Sequence, residues 1–443
     1  FVSCAGLAVR SPGMRNSAVQ ESPGRRARVA RRFGGGALLL AGILLLAVNL
    51  CAAITSLPPI FPELRDVLHI STAEEATLAS VPVLCFGLFS GAAAPLSRML
   101  GEERVLGAAL ALLAGGLLLR SADPPVLLFP GTIVASAAIA LMNVLLPSLI
   151  KRRRPERAGL LIGLYLLSLS GGAVVGALIA VPVFTAAGAG TAAARLSLGM
   201  WALPALLAAA MWLPQLRYRT LPPAPAAGGQ RRRGVLAMGR HALAWQVLAF
   251  MGLQSLSYYA TLSWFPTLFR DRGMSAAAAG GLLALMNLGN AVTALLIPVL
   301  AQRARDQRLL AVISMMMTGA GLAGAAFGPL GAAAPLVFLL GLGQGASLGL
   351  GIFYTMARAP DPVAAAALSA FAQSGGYLLA STGPLLIGLL HSVTGGWAVP
   401  VGALLGVVVL QLITGWLAGR ARTVPVPGPV PLAAPEGAGG RRP

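Results

Sequence analysis

Two pairs of side chains in the sequence are one helical turn apart and could together hold a small planar molecule. Gln254 and Tyr258 form one pair, and Gln373 and Tyr377 form the other. Residues four apart lie on the same face of a helix, so each pair offers an amide for hydrogen bonding and a ring for stacking. Four further polar side chains within apolar stretches are candidates for contact with the same molecule: Asn49, Asn143, Tyr165 and Gln344.

The same polar side chains could instead connect helices to one another. A hydrogen bond between helices in lipid contributes roughly 0.6 kcal/mol on average. An amide buried in hydrocarbon without a partner is unfavourable by several kcal/mol. Asn49 therefore needs a partner from another helix under either interpretation, and for each residue taken singly both interpretations stay open.

Acidic side chains are predicted to lie outside the apolar stretches. All 13 Asp and Glu fall in predicted loops, tails or helix ends, which argues against a carboxylate-based proton relay within the spans. Of the three histidines, only His391 is near membrane depth, and we expect it to be solvated at the interface.

No arrangement of residues in the sequence is typical of an enzyme or of a metal site. Cys4, Cys51 and Cys85 are too few and too scattered for a disulfide framework or for metal binding. No Ser/His/Asp set and no nucleotide-binding motif occurs. The glycine-rich segment 341–345 has no Lys followed by Ser or Thr, so close helix packing explains it better than a phosphate loop. We expect no enzyme activity, no metal and no cofactor.

The elements that position the candidate residues are predicted to be membrane-spanning helices. The chain is 57% hydrophobic and only 10% charged, with a mean hydropathy of +0.79, which is typical of an integral membrane protein of the all-α class. About 20 apolar residues cross a bilayer as a helix, and residues 37–56 are the first such stretch. Eleven more spans are predicted, at 73–96, 104–120, 125–149, 157–184, 197–215, 242–269, 276–301, 308–328, 333–357, 363–390 and 397–418. Prolines 58, 59 and 62 are expected to end the first span before a polar loop that runs from Glu63 to Glu75.

The twelve spans are predicted to form two related six-helix halves. The expected order is a disordered basic tail (1–36), the first half (37–215), a Pro/Gly-rich linker (216–241), the second half (242–418) and a second disordered tail (419–443). The halves resemble each other at an offset near 204 residues, because Phe61-Pro62 corresponds to Phe265-Pro266 and Gly171-Gly172 to Gly375-Gly376. Such a repeat is typical of carriers whose substrate site lies near the bilayer midplane. We expect spans 1, 4, 5, 7, 10 and 11 to line it.

Positive charge predicts the orientation of the spans. The net charge is +20, and all but five of the 33 Lys and Arg fall in the tails, the linker or alternate loops. Basic residues of this kind mark cytoplasmic loops, so both termini are expected in the cytoplasm. The segment from Lys151 to Arg157 is therefore interpreted as a topology anchor and not as a nucleic-acid patch. The partners expected are a small solute and the lipid bilayer, with the protein as a monomer.

Several segments resemble a known family of carriers. They are residues 49–51 with 54–56, 143–153, 281–289, 341–345 and 372–377. In this order and spacing they resemble the cyanate and 2-nitroimidazole transporter group of the major facilitator superfamily. The resemblance implies a twelve-helix fold in the bacterial inner membrane and transport of small anions such as cyanate, or of small nitrogen heterocycles.

The chain departs from the pattern of this family at two places. The family usually has Arg two residues after the Asn of the first span, and this chain has Cys51, which makes Cys51 a candidate contact and removes the expected cavity cation. The superfamily's Asp after span two is replaced by Ser97 before Arg98, and its counterpart after span eight by Gln302 before Arg303. We expect Arg98, Lys151, Arg152 and Arg303 to mark the cytoplasmic gate, with its usual carboxylate interactions missing.

The sequence thus predicts an alternating-access carrier for a small polar or weakly acidic solute. Two alternatives stay open. One is an efflux carrier for neutral lipophilic compounds, and the other is a membrane sensor that binds without transporting. The sequence does not decide the direction of transport or the coupling ion.

Overall fold

Twelve long helical segments form the part of the chain described by the computed structural model, which covers residues 40–153, 155–221, 235 and 237–424. The predicted tail 1–36, residues 222–234 and 236 of the predicted linker, and residues 425–443 of the second tail lie outside this part. The segments, numbered here in chain order, are α1 (Leu40–Leu68), α2 (Thr72–Leu100), α3 (Glu102–Arg120), α4 (Leu128–Arg153), α5 (Ala158–Ala186), α6 (Thr191–Gln215), α7 (Ala242–Asp271), α8 (Ala276–Arg303), α9 (Arg308–Phe327), α10 (Ala333–Ala357), α11 (Val363–Thr394) and α12 (Ala398–Ala418).

Ten of these segments are long and apolar enough to cross a membrane by composition alone, and α3 and α7 are the other two. α3 begins with Glu102, Glu103 and Arg104, and its remaining residues are apolar up to Arg120. α7 has 30 residues and carries a run of Gln, Ser, Tyr and Thr side chains that lowers its hydropathy. Both helices pack within the bundle, so the structure has the twelve helices and the all-α class that the sequence predicts.

The polar segment after the first span is helical, which differs from the prediction. The first helix of α1 ends at residue 55, a short 3-10 helix covers Pro58–Ile60, and a further helix covers Phe61–Leu68. Proline is well accommodated in the first turn of a helix, where its missing N–H needs no partner, so these prolines start helices. Ser71 then opens α2, since its hydroxyl accepts from the Glu74 N–H and its own N–H donates to the Glu74 carboxylate. The loop predicted from Glu63 to Glu75 is reduced to residues 69–71.

Equivalent close contacts make the internal repeat visible in three dimensions. A Cβ on Gly172 of α5 would lie 2.1 Å from the Val48 carbonyl oxygen of α1. A Cβ on Gly376 of α11 would lie 3.3 Å from the Gly252 nitrogen of α7. Both partners are displaced by the same 204 residues. α1 with α5 in one half therefore corresponds to α7 with α11 in the other.

The glycine-rich segment of α10 is a surface for close helix packing, as predicted. A Cβ on Gly341 would lie 2.2 Å from the Met286 carbonyl oxygen, and one on Gly345 would lie 2.0 Å from that of Asn290, both on α8. Small residues let helix backbones approach closely in lipid, where hydrophobic attraction between helices is absent.

The segment that follows α6 is held against the first half. The Glu103 carboxylate accepts the Thr220 N–H at 2.7 Å and the Thr220 hydroxyl at 2.5 Å, and it also pairs with Arg153 at 2.6 Å. The Arg153 guanidinium lies 4.2 Å from the centre of the Tyr218 ring. The first five residues after α6 thus belong structurally to the half they leave.

The segment that follows α12 is held in a similar way against the second half. Arg358 donates to the Ala418 carbonyl at 2.8 Å, to the Gly419 carbonyl at 3.1 Å and to the Gln307 side chain, and its own carbonyl accepts the Val424 N–H at 2.8 Å. Burial lowers the pKa of the Arg358 guanidinium, but it stays protonated at neutral pH. Gln307 here takes the place that Glu103 has in the first half.

The two halves meet mainly through α2 with α11 and through α5 with α8. A Cβ on Gly388 of α11 would lie 2.8 Å from the Ala76 Cβ of α2, and one on Gly280 of α8 would lie 3.0 Å from the Ala177 carbonyl of α5. These contacts lie from the middle of the bundle toward the end at which α1 and α7 finish. We call this the closed end.

Polar contact between the halves occurs only at the closed end within the described chain. The Arg270 guanidinium of α7 lies 2.6 Å from the Glu63 carboxylate of α1, and this is the one hydrogen bond or ion pair that joins residues 40–221 to residues 237–424. At the opposite end, the buried apolar cluster of the second half, which includes Met238 and Val424, takes no residue from the first half. Among the described residues, the contacts named here between the halves thus lie from the middle of the bundle to the closed end.

Candidate substrate site

The first half contributes one Tyr–Asn pair near the middle of the bundle. The Tyr165 hydroxyl on α5 donates to the Asn143 side-chain oxygen on α4 at 3.1 Å. Tyr165 is only 4% exposed and Asn143 is half-buried. Two of the residues predicted to contact the substrate are thus brought together, and the amide nitrogen of Asn143 is free to donate.

The second half contributes a similar pair that the sequence only partly indicated. The Tyr258 hydroxyl on α7 donates to the Asn287 side-chain oxygen on α8 at 2.7 Å. The amide nitrogen of Asn287 donates to the Leu283 carbonyl within α8 at 2.9 Å. Asn287 was not among the predicted contacts, because its partner is set by the packing of α8 against α7.

Gln254 and Gln344 form a second polar group between α7 and α10. The Gln254 amide nitrogen donates to the Gln344 main-chain carbonyl at 3.4 Å, and the Gln344 amide nitrogen donates to the Thr261 hydroxyl at 3.0 Å. The Gln344 side-chain oxygen and the Ser257 hydroxyl are buried with no partner among the described residues. An acceptor and a donor are therefore unused in this part of the bundle.

Aromatic side chains from both halves meet at the level of these pairs. The Phe86 ring of α2 lies 5.7 Å from the Tyr377 ring of α11 and 6.5 Å from the Tyr259 ring of α7. Tyr259 in turn packs edge-on against Tyr258 at 5.2 Å. Tyr259 and Tyr377 both pack against the apolar core of each half, so this aromatic group bridges the halves.

Cys51 lies near this arrangement. Its side chain is half-buried and lies within electrostatic range of the hydroxyls of Tyr165, Tyr258, Tyr259 and Tyr377. Tyrosines from α5, α7 and α11 therefore lie in the neighbourhood of the position at which the resembling family usually has Arg. We call Cys51, these four tyrosines, Asn143 and Asn287 the central group.

Asn49 and Gln373 belong neither to the central group nor to the polar group of Gln254 and Gln344. Asn49 is fully buried and donates from its amide nitrogen to the Trp201 carbonyl of α6 at 3.2 Å, while its side-chain oxygen has no partner among the described residues. Gln373 is exposed and donates to the Ser369 hydroxyl one turn earlier on α11 at 2.6 Å. The structure thus gives Asn49 the connecting role that the sequence left open, and it places Gln373 on an exposed face beside Ser369.

The basic residues expected at a gate differ in their surroundings. Arg152 pairs with Glu102 at 3.5 Å, whereas Lys151 and Arg303 are exposed and Arg98 is half-buried. The expectation that carboxylates would be missing here is wrong for the first half. Glu102 and Glu103, at the start of α3, supply negative charge beside α4 in place of an Asp after α2.

Three acidic residues and one arginine at helix ends are buried, and the sequence did not indicate this. Glu75, Glu102 and Glu103 are at most 1% exposed. Arg120 is 4% exposed and donates to the carbonyls of Leu198 at 2.9 Å and Ala53 at 3.2 Å. The acidic residues do lie at helix ends as predicted, but packing of neighbouring helix ends covers them. Within the described residues, no three His, Cys, Asp or Glu are close enough together to hold a metal ion.

The central group is uncharged and offers hydroxyl groups, amides and ring faces between the two halves. Such a group suits a small planar molecule held by hydrogen bonds and stacking. Twelve spanning helices in two repeated halves around a central polar group define a membrane transport protein. The chain belongs to the Major Facilitator Superfamily, because the sequence profile of that family matches residues 43–384.

Relatives of known or assigned activity cover most of the chain. It is 40% identical over 390 residues to the 2-nitroimidazole transporter of Escherichia coli K12, covering 87% of this chain and 96% of that protein. It is 29% identical over 379 residues to the cyanate transport protein CynX of the same organism, and the match covers 84% of this chain and 96% of that protein. Family and relatives are transporters, as the sequence predicted.

The fold also resembles solved transporters that are distant in sequence. A bacterial homologue of the human lysosomal transporter Spinster superposes with a TM-score of 0.71 at 15% identity, covering 88% of this chain and 99% of that one. A D-xylose–proton symporter superposes with a TM-score of 0.64 at 16% identity, and the superposition covers 86% of this chain and 96% of that one.

Proposed function

We propose that the protein transports a small, planar, uncharged or weakly acidic solute, of the nitroimidazole type, across the bacterial inner membrane. The observation that carries the proposal is the central group, in which two Tyr–Asn pairs and two further tyrosines come together near Cys51. A ring with hydrogen-bonding edges fits between tyrosine faces and amides without a counter-charge. The identity of 40% with a 2-nitroimidazole transporter supports the same substrate class.

A cyanate-like anion is the second candidate and has weaker support. The protein is related to the cyanate transport protein CynX at 29% identity, but the central group has no cation. An anion there would rely on hydroxyl and amide donors alone, and burying an unpaired charge is unfavourable by several kcal/mol.

Alternating access by two six-helix halves, 37–215 and 242–418, is proposed as the mechanism. The contacts described between the halves lie from the middle of the bundle to the closed end, and the buried apolar cluster at the opposite end belongs to the second half alone, which suits a carrier in which the central group faces one side at a time. The bias of Arg and Lys places the opposite end, and both termini, in the cytoplasm. In this orientation the described state is open to the cytoplasm.

Transport by the purified protein in proteoliposomes tests the proposal. The expected result is movement of labelled 2-nitroimidazole that Gln254→Ala reduces severalfold, because the substitution disturbs the group between α7 and α10. Gln411→Ala is the matched control, since Gln411 is a buried glutamine of α12 and lies away from the central group. Transport of cyanate without transport of the heterocycle would favour the second candidate. Specific binding of 2-nitroimidazole without movement would favour a sensor.

A further inference from the structure

Glu75 is the acidic residue whose surroundings least suit a charged carboxylate. It lies in the first turn of α2 and is fully buried, and neither of its carboxylate oxygens has a hydrogen-bond partner among the described residues. A buried carboxylate normally accepts several hydrogen bonds, because these replace the water it has lost. Its neighbour Glu74 shows the contrast, since Glu74 is exposed and hydrogen-bonded to Ser71.

Glu75 lies beside the contact between the two halves. The next residue, Ala76, belongs to an apolar cluster made largely of second-half residues and lies against Gly388 and Trp264. α2 packs here against α11 and the end of α7. If the halves separated at the closed end, water would reach Glu75.

The charged groups around Glu75 come from both halves. From α1, the Arg65 guanidinium lies 3.5 Å from one carboxylate oxygen, but it is one-third exposed and also approaches Thr72. From α7, Asp271 is close enough to repel the charged form of Glu75. Closure therefore brings a second carboxylate beside Glu75, which favours its neutral form.

Two other titratable groups near this contact, Glu63 and His391, have partners of their own. Glu63 is paired with Arg270 at 2.6 Å. His391, the one titratable residue of the second helix of α11, stacks on the Trp397 ring at 4.1 Å and lies 6.4 Å from Trp264. α4, which also packs on α2, has no ionisable side chain before its basic last turn. Among the described acids at this contact, Glu75 thus lacks a hydrogen bond at both carboxylate oxygens, whereas Glu63 has one at one oxygen.

We propose that Glu75 is a proton-binding site whose occupancy is linked to closure of this end of the transporter. In the closed state the carboxyl group holds a proton, and when the end opens the proton leaves to the water that enters. By linkage, binding of the proton favours closure to the same extent that closure favours binding. This inference rests on the proposed alternation of the two halves, but not on the identity of the substrate.

Distance measurement between two spin labels tests the proposal without any substrate. Labels are placed at Ala73→Cys on α2 and Ser392→Cys on α11, both exposed positions at the closed end, after Cys4, Cys51 and Cys85 are replaced by Ser. Acidification from about pH 8 to about pH 5 is expected to raise the fraction at the short distance. The closed-to-open ratio should change by up to about tenfold per pH unit, the limit for one proton.

Three variants assign the effect to Glu75. Glu75→Gln imitates the protonated acid in size and charge, so its distances should stay at the short value at every pH. Glu74→Gln should behave like the parent, because Gln also serves in this capping position. A Glu75→Gln protein with the parental pH dependence would overturn the proposal. The proposal would also be overturned if the pH dependence of the distances were lost in His391→Gln but kept in Glu75→Gln. A parent protein whose distances do not change with pH would overturn it as well. If the pH response is present but no heterocycle is transported, only the proposed substrate fails.

Discussion

Replacement of Cys51 by Arg is the most direct test of what the central group recognises. The change would place a guanidinium near the hydroxyls of four tyrosines, at a half-buried position with no charge of its own. A hydrogen bond to a charged group contributes about 1.5–3 kcal/mol, and about 1.4 kcal/mol corresponds to a tenfold change in affinity. Cys51→Arg should therefore bind cyanate about tenfold to a hundredfold more tightly than the parent protein.

The same substitution should lower stability in the absence of an anion, because the new charge has no partner. An anion at a hundred times its dissociation constant would return about 2.7 kcal/mol of stability. Titration calorimetry with cyanate and 2-nitroimidazole, together with thermal unfolding with and without each ligand, measures both effects. Cys51→Met is the control, because it enlarges the side chain at residue 51 without adding a charge. Unchanged anion binding in a folded Cys51→Arg protein would refute the placement of residue 51 at the substrate.

Three further predictions concern other contacts. Tyr258→Phe removes the hydroxyl that donates to α8 and should reduce heterocycle transport about fivefold, equivalent to about 1 kcal/mol; unaltered transport would remove this residue from the site. Glu63→Gln breaks the ion pair with Arg270, which is partly exposed and contributes at most about 1 kcal/mol. Labelling of a thiol introduced at the closed end should therefore become no more than about fivefold faster. High salt should have the same effect on the parent protein, because it screens the pair. Gly172→Val should lower the unfolding temperature because its side chain would collide with α1, whereas Gly171→Val meets open space; equal effects of the two would contradict the packing described.

Much of the fold could be predicted because it depends on local composition. The apolar stretches locate eleven of the spans to within about six residues at each end, and α3 and α7 are among them despite their polar residues. The helix at Phe61–Leu68 was missed, since prolines were interpreted as stops although each lies where a helix begins.

The site was less predictable because its partners come from distant parts of the chain. Tyr258 was identified by its spacing from Gln254, but its actual hydrogen-bond partner is Asn287 on another helix. Asn49 was a candidate for contact with the solute, and the acceptor of its amide nitrogen is the Trp201 carbonyl of α6, which is distant in the chain. Glu75 lies beside the contact between the halves, and no local pattern of residues encodes such a contact.

The segments held by Glu103 and by Arg358 have a consequence for how the chain is made. Every hydrogen bond of the segment after α6 goes to residues between 99 and 215, so the first half has all its own partners once Thr220 has left the ribosome. It can be complete in the membrane while α7 is still being synthesised. The second half then joins it mainly through α2 with α11 and α5 with α8, together with the Arg270–Glu63 ion pair and the aromatic contacts of Phe86. The carrier can therefore assemble by docking of two halves that have each folded already. The surface used for docking is the same one that must later separate in each transport cycle.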